Sequence, residues 1–378
     1  MSILVNGKEK YDVTELLKKE PNRNVYMIQG GRNIGKSYSV KSYCYKESYM
    51  YDDRKTAYMR RRGEDLKRQY VESYFNGLCG EGMKQIKECT NGEYSVIIPY
   101  RGKLYFGNYK ENEKGELKDD KGKVFGMSIP INLHERYKSG QFTSIANGIY
   151  EEWQATNGAY LPDEPKHVRN IVSTIERDKK MKLFMIANLI TPISPYVKDW
   201  HLTGCENMKA GEINVYSTVY QTEQGTMESS FDVVVQMCSE EDKKSFFVTK
   251  KGKLDNVASN QYQFDEYPTF DFYNYEKFTT VYHTVVFAWD NFRFLMRLCK
   301  CFGEIFWYVE PKTTEIKNNT RIVSNVYYPS NLYSNSFTPF NEKESIAFNY
   351  LKIGKVKFSS DLCGTTFNTA LRQSKFKL

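Results

Sequence analysis

Apolar and polar positions follow two rhythms along the chain, and the change comes near residue 200. Before it, short apolar runs alternate with stretches of helical spacing. Val13 to Lys19 predicts a short lead-in helix. Asn24-Val25-Tyr26-Met27-Ile28 predicts a strand, and Ser37 to Met50, free of Gly and Pro, a helix. Lys55 to Arg61 is the next strand. Gly63 to Cys79 has helical spacing, with Leu66, Tyr70, Tyr74 and Leu78 on one face. Glu93 to Ile98 and Lys103 to Tyr109 predict a hairpin across Tyr100-Arg101-Gly102. Residues 110–123, almost wholly charged or Gly, are expected to form an exposed loop. Val124 to Ile129 is a further strand, and a helix is expected from Pro130 to Lys138-Ser139. Ser144 to Glu152 forms a strand with Asn147-Gly148 inside it. Pro162-Asp163-Glu164-Pro165 opens a helix reaching about Arg177, with Pro and acids in its first turn as helix starts prefer. Lys182 to Ala187 is a buried-type strand ending at Asn188. Strands alternating with helices give a parallel α/β domain over residues 1–200.

The second rhythm is less regular. Residues 201–255 mix short apolar strips such as Val233-Val234-Val235 with charged segments, and are expected to form a linking subdomain. From 256 to 378 the chain is rich in β-branched and aromatic residues. Val281 to Ala288 and Phe302 to Val309 predict strands, and Ser345 to Leu351 a helix. This predicts a smaller, more β-rich second domain. Its end is basic, with Lys352, Lys355, Lys357, Arg372, Lys375 and Lys377 against a lone Asp361.

Composition narrows the function classes. The 378 residues are 15% aromatic and carry a formal charge of +8, a moderate excess that suits an anionic partner. No run of about 18 apolar residues marks a transmembrane helix, and the N-terminus lacks a signal-peptide pattern. An intracellular, non-secreted protein without a transmembrane helix is expected. The eight Cys are scattered, and only Cys299 and Cys301 are close, which is not a zinc or redox spacing. His134, His167, His201 and His283 are far apart in sequence, which disfavours a zinc site.

The strongest motif is Gly30-Gly31-Arg32-Asn33-Ile34-Gly35-Lys36-Ser37, which fits the phosphate-binding loop G-x-x-x-x-G-K-[ST]. Its glycines let successive N–H groups turn around a phosphate, and the following helix points its N-terminus at the same anion. Lys36 would reach the β- and γ-phosphates of ATP, and the Ser37 hydroxyl would ligate Mg²⁺. The strand before and the helix after supply the right context. Glu151 and Glu152 stand at a strand end, where such a site needs one carboxylate for Mg²⁺ and, in one large branch, a second to activate water. Read from the residues alone, they are equally an ordinary acidic strand end. Asn188 is either a γ-phosphate sensor or a turn residue. Arg60-Arg61-Arg62 is either a phosphate or DNA contact or a solvated basic turn.

Several segments occur in an order and spacing that resemble the DNA-packaging ATPase of phi29-like phages. They are I-Q-G-G-R-N-I-G-K-S-Y at 28–38, Y-M-R-R-R-G-E-D-L at 58–66, K-V-F-G-M-S-I-P-I at 123–131, Y-K-S at 137–139, I-Y-E-E-W at 149–153, Y-L-P-D-E at 160–164, I-A-N at 186–188 and S-P-Y at 194–196. The resemblance covers roughly residues 24–200. It implies an ATPase of the class with an additional catalytic glutamate (ASCE, RecA/FtsK-like), assembled as a homo-oligomeric ring, a pentamer in this family. Such a ring sits at the capsid portal and threads double-stranded DNA inward. Lys36 and Ser37 then bind phosphate and Mg²⁺, Glu151 fills the metal-organising position usually held by Asp, and Glu152 is the general base. Arg60 and Lys138 fall on basic positions near the nucleotide. Arg177 falls on the trans-acting arginine finger, with one gap after it. The resemblance also implies a C-terminal RNase H-like domain that has lost its nuclease site and binds DNA, the portal or a packaging RNA. Asp265, Asp271, Asp290 and Asp361 are correspondingly sparse. Two readings of other classes stand beside this one. The first is a P-loop kinase of a nucleoside or small molecule, and the second a nucleotide-gated scaffold without hydrolysis.

Overall fold

A computed structural model describes residues 2–5, 8–31, 34–77, 80–137, 140, 142–155, 160–177, 180–189, 194–205, 208–221, 227–238, 267–289, 292–312, 316, 319–330 and 332–374. They divide into two compact units, the first ending at Gln261 and the second built mainly of the residues from Tyr262 on.

In the first unit, strands β1 (Ser2–Val5) and β2 (Lys8–Tyr11) form a hairpin that leads into helix α1 (Val13–Lys19). β3 (Val25–Gly30), α2 (Lys36–Met50) and β4 (Lys55–Arg60) follow. A 3-10 turn at Gly63–Leu66 precedes α3 (Arg68–Asn76) and α4 (Glu81–Cys89). β5 (Val96–Tyr100) and β6 (Lys103–Glu111) pair as the expected hairpin, and β7 is Leu117–Pro130. β8 (Ile145–Glu151), α5 (Glu164–Ile175), β9 (Lys182–Asn188) and α6 (Pro195–Asp199) come next, then β10 (Ile213–Gln221) and β11 (Met227–Met237).

These strands form one nine-stranded sheet in the order β10-β11-β3-β9-β8-β4-β7-β6-β5. Its centre, from β11 to β7, is parallel, and antiparallel strands close both edges. β3 and β8 are buried at every position, as strands covered on both faces must be. Tyr26, Val40, Tyr45, Phe75, Phe106, Phe125 and Phe184 pack in the core between sheet and helices.

Three expectations are corrected. Residues 213–237 are not a linking subdomain. β11 pairs in parallel with β3, Val233 to Met237 against Val25 to Gln29, and Val233, Val234 and Val235 are buried. The strip is short because a parallel central strand needs only a few apolar positions. Residues 110–123 are not a loop, since β6 and β7 continue through them around a turn at Asn112–Glu116. Charge pairs replace apolar alternation there: Lys110 bonds Asp120 at 2.8 Å, and Arg68 grips Asp119 with two bonds of 2.7 and 2.8 Å. After Pro130 the chain takes a kinked 3-10 path over Ile131–Tyr137 rather than an α-helix.

The second unit holds β12 (Thr279–Trp289), β13 (Phe292–Cys301), β14 (Glu304–Pro311), β15 (Arg321–Ser324), β16 (Tyr333–Ser334), α7 (Glu342–Lys352), β17 (Val356–Phe358) and α8 (Asp361–Ser374). β12, β13 and β14 form an antiparallel meander, with β15 and then β16 added parallel beside β12. β17 pairs in parallel with β14 and extends the sheet on its far edge. Phe287, Phe294, Trp307, Phe348 and Phe367 build its core. The fold is thus α/β: a P-loop domain with a largely parallel sheet, then a smaller α+β domain.

Candidate nucleotide-binding site

The P-loop leaves the end of β3 and enters α2. Gly35 has φ +93°, a left-handed conformation that a side chain disfavours, and it caps the helix. With glycine as the cap, no cap side chain bonds the first turn of α2. Lys36 is only 6% exposed. Its ammonium donates to the carbonyls of Gly30 and Gly31 and, at 3.4 Å, to Oδ1 of Asn188. A buried cation held by backbone carbonyls at a helix N-terminus fits a phosphate chain. Arg32, Asn33 and Lys138 lie outside the described residues.

Strand order sets the rest of the site. β9 lies between the P-loop strand β3 and the acidic strand β8, and Asn188 pairs directly with Gly30. Asn188 therefore stands between the loop and the carboxylates. Glu151, 8% exposed at the end of β8, accepts a 2.6 Å bond from the Tyr74 hydroxyl. Burial raises its pKa above the ordinary 4.5, while Tyr74, Ser37, Lys41 and Arg60 oppose the rise. Tyr74 fixes the position of this longer side chain, which stands where Asp is usual. The Ser37 hydroxyl in the first turn of α2 and the Glu151 carboxylate at the end of β8 are oxygen donors suited to Mg²⁺.

Glu152 differs in every respect. Its backbone is left-handed, with φ +57°, at a cost of about 1–2 kcal/mol for a residue with a side chain. That twist sends the two adjacent carboxylates apart. The Glu152 side chain is 68% exposed and bonds Arg60 at 2.8 Å. Arg60 thus meets the candidate base directly. Arg61, which the sequence left between a ligand contact and a solvated turn, is neither. It turns inward to the wholly buried Glu164 of α5, bonding it at 2.7 and 3.1 Å. Arg177 lies just beyond α5 and is exposed.

Sequence reasoning missed Tyr74, Arg61 and Glu164. Tyr74 was visible only as one of four residues on a helical face, and Glu164 only as an acid in a helix start. It also held His134 and His167 apart, yet their rings stack at 3.7 Å. In the second unit Asp271 and Glu310 line a cavity of about 500 Å³. Glu310 is neutralised by Arg297 at 2.7 Å and accepts from Tyr273 at 3.0 Å. Asp271 accepts from Asn274, and Asp361 from the Tyr267 amide at 3.0 Å. Asp265 and Asp290 lie outside the described residues. Among the described residues no helix is long and apolar enough to cross a membrane.

No family model matches the chain. Over 198 residues it is 23% identical to the DNA packaging proteins of Bacillus phages PZA and phi29, a stretch covering 52% of this chain and 51% of each relative. Against the DNA packaging protein of Bacillus phage B103 it is 24% identical over 178 residues, 46% of this chain and 47% of that one. The chain spans about half the length of the curated relatives it matches. Among solved structures, the viral genome packaging motor assembly of bacteriophage phi29 superposes with a TM-score of 0.53 at 17% identity, covering 97% of this chain and 99% of that one. The chain is therefore similar to the DNA packaging proteins of phi29-like phages, in sequence over about half its length and in fold over nearly all of it.

Proposed function

We propose that this protein is an ATP-hydrolysing motor that drives double-stranded DNA into a preformed procapsid, with its sites shared between subunits of a ring. One juxtaposition carries the reading. Lys36, Asn188, Glu151 and Glu152 stand at the ends of three neighbouring strands, with the two carboxylates in opposite environments. Lys36 and the α2 amides would hold the β- and γ-phosphates. Ser37 and Glu151 would hold Mg²⁺, which would neutralise charge on the phosphate oxygens. Glu152, exposed beside Arg60, would accept a proton from water as the water oxygen bonds the γ-phosphorus. The bond to the β–γ bridging oxygen then breaks, and ADP and phosphate leave. Asn188 is placed to orient either the water or the γ-phosphate.

Arg177 of an adjacent subunit would complete the site, since its rigid fork suits charge spread over phosphoryl oxygens. The second unit would bind rather than cut. Its cavity carboxylate Glu310 is paired with Arg297, and exposed Tyr275, Phe278 and Phe302 pack into an aromatic face. DNA, the portal or a packaging RNA are its proposed partners. Mixing Glu152→Gln with Arg177→Ala tests the shared site. Each variant alone should be inactive, and mixed rings should regain part of the ATPase activity. Two inactive variants that stay inactive on mixing contradict shared sites.

A further inference from the structure

We infer that Arg61 and Glu164 form a buried positioning pair that holds the backbone of Glu152 in its left-handed conformation, and so sets where the candidate base points. The inference rests on the reading of Glu152 given above. The Arg61 side chain is 14% exposed and that of Glu164 is fully buried. The Arg61 guanidinium donates both terminal nitrogens to the Glu152 carbonyl at 3.3 Å and one of them to the Trp153 carbonyl at 3.0 Å. On the other side of the same residue, in the preceding peptide unit, the Glu152 amide donates to the Ile186 carbonyl on β9 at 2.8 Å. The Glu152 backbone is therefore gripped from both sides, by β9 and by Arg61.

Glu164 in turn fixes the guanidinium. It accepts from Arg61 Nε at 2.7 Å, from the Tyr150 hydroxyl at 2.6 Å, from the Tyr196 hydroxyl at 2.8 Å and from the Leu161 amide at 2.8 Å. Both carboxylate oxygens are thus occupied, which a wholly buried carboxylate requires. Burial holds both phenols well above their ordinary 10.0, so they remain donors. A planar fork is needed here: it meets a carboxylate through two bonds and still reaches two carbonyls. A lysine ammonium offers one point and serves either the carboxylate or the carbonyls. Arg60, one position earlier on β4, points to the other side and meets the Glu152 carboxylate instead. The two arginines therefore control one residue by different handles, Arg60 its side chain and Arg61 its backbone.

The test is a double-mutant cycle between Arg61→Lys and Glu152→Gln, read by ATPase kinetics and by binding of a fluorescent ADP analogue with Mg²⁺. Arg61→Lys should lower kcat about 10–100-fold, as a displaced catalytic group does, with KM and analogue affinity unchanged within about twofold. In the Glu152→Gln background the same change should leave the residual rate unaltered, because it acts through Glu152. An equal loss in both backgrounds, or analogue binding lost in parallel with kcat, would overturn the inference and leave the role of Glu152 standing. Glu152→Gln with full activity would instead overturn the reading beneath it. If Arg61→Lys is insoluble, Tyr196→Phe removes one bond from Glu164 and carries the same cycle with the same outcomes.

Discussion

Replacing Tyr74 with Phe removes one hydroxyl and nothing else, at the point where the acidic strand end is held. That hydroxyl donates to Glu151 at 2.6 Å, and Glu151 is 8% exposed, so water cannot take its place without rearrangement. A hydrogen bond to a charged group contributes about 1.5–3 kcal/mol. At roughly 2–4 °C per kcal/mol for a domain of this size, the first unit should melt roughly 3–12 °C lower. The ring itself stays, stacked on Tyr58 at 4.8 Å, so the loss is polar and not a packing defect. Chemistry at the site should change as well. Burial already lifts the Glu151 pKa above 4.5, and Tyr74 is the first of the contacts that restrain it. Without Tyr74 the carboxyl holds its proton to higher pH. A raised carboxyl pKa means that folding is favoured by protonation, and that stability falls as pH rises from 4.5 through the folded value. The carboxylate that a metal needs forms over that same window. In the wild type, Mg²⁺-dependent nucleotide binding should therefore weaken as pH falls toward that window, and in Tyr74→Phe the weakening should start at higher pH. At neutral pH the Mg²⁺ midpoint should rise about 10–100-fold, as when a partner of a metal-binding group is lost. A Mg²⁺ titration of ADP-analogue binding at several pH values, beside thermal unfolding, reads both effects. An unchanged melting temperature with an unchanged Mg²⁺ midpoint would refute the role assigned to Tyr74.

Other expectations follow from single contacts. Lys36→Ala removes the ammonium held by Gly30, Gly31 and Asn188, and should weaken nucleotide binding about 10–150-fold by calorimetry. His167, lowered below 6.5 by burial and then by His134, faces Glu135, Asp163 and Glu164 as well. Its neutral form favours folding, so that contribution is present above 6.5 and is lost as pH falls through the lower folded value; His167→Phe should flatten denaturant stability over that range. In the second unit, Glu344→Gln leaves the 3%-exposed side chain of Arg321 without its carboxylate, bonded at 3.2 Å in the wild type. Such a break costs about 3–5 kcal/mol, so that unit should unfold earlier in denaturant while ADP-analogue binding persists.

How far the sequence carried the account depends on the kind of signal. The P-loop strand, its helix, the acidic strand and the Asn188 strand were legible because parallel strands buried on both faces are written as apolar runs. β11 was not, because its register with β3 depends on a partner some two hundred residues earlier in the chain. The charged hairpin of β6 and β7 was not, because it is stabilised by cross-strand charges such as Lys110 and Asp120 instead of apolar alternation. Within the site, Lys36, Ser37, Glu151 and Glu152 carried motif signals. Tyr74 carried none, and Arg61 and Glu164, though inside recognisable segments, carried no sign of their pairing, since each acts through a contact between elements far apart in sequence. The motif also could not tell the two glutamates apart; a buried side chain for Glu151 and a left-handed backbone for Glu152 do.

The most direct test of the motor reading is steady-state ATP hydrolysis by the full chain, with and without linear double-stranded DNA, for wild type and Glu152→Gln. The account predicts hydrolysis by the wild type that changes when duplex DNA is added, falls as salt screens backbone contacts, and is lost in Glu152→Gln. Hydrolysis indifferent to DNA, with full activity in Glu152→Gln, would contradict it; ATP consumed only when a small acceptor is present would point to a kinase instead.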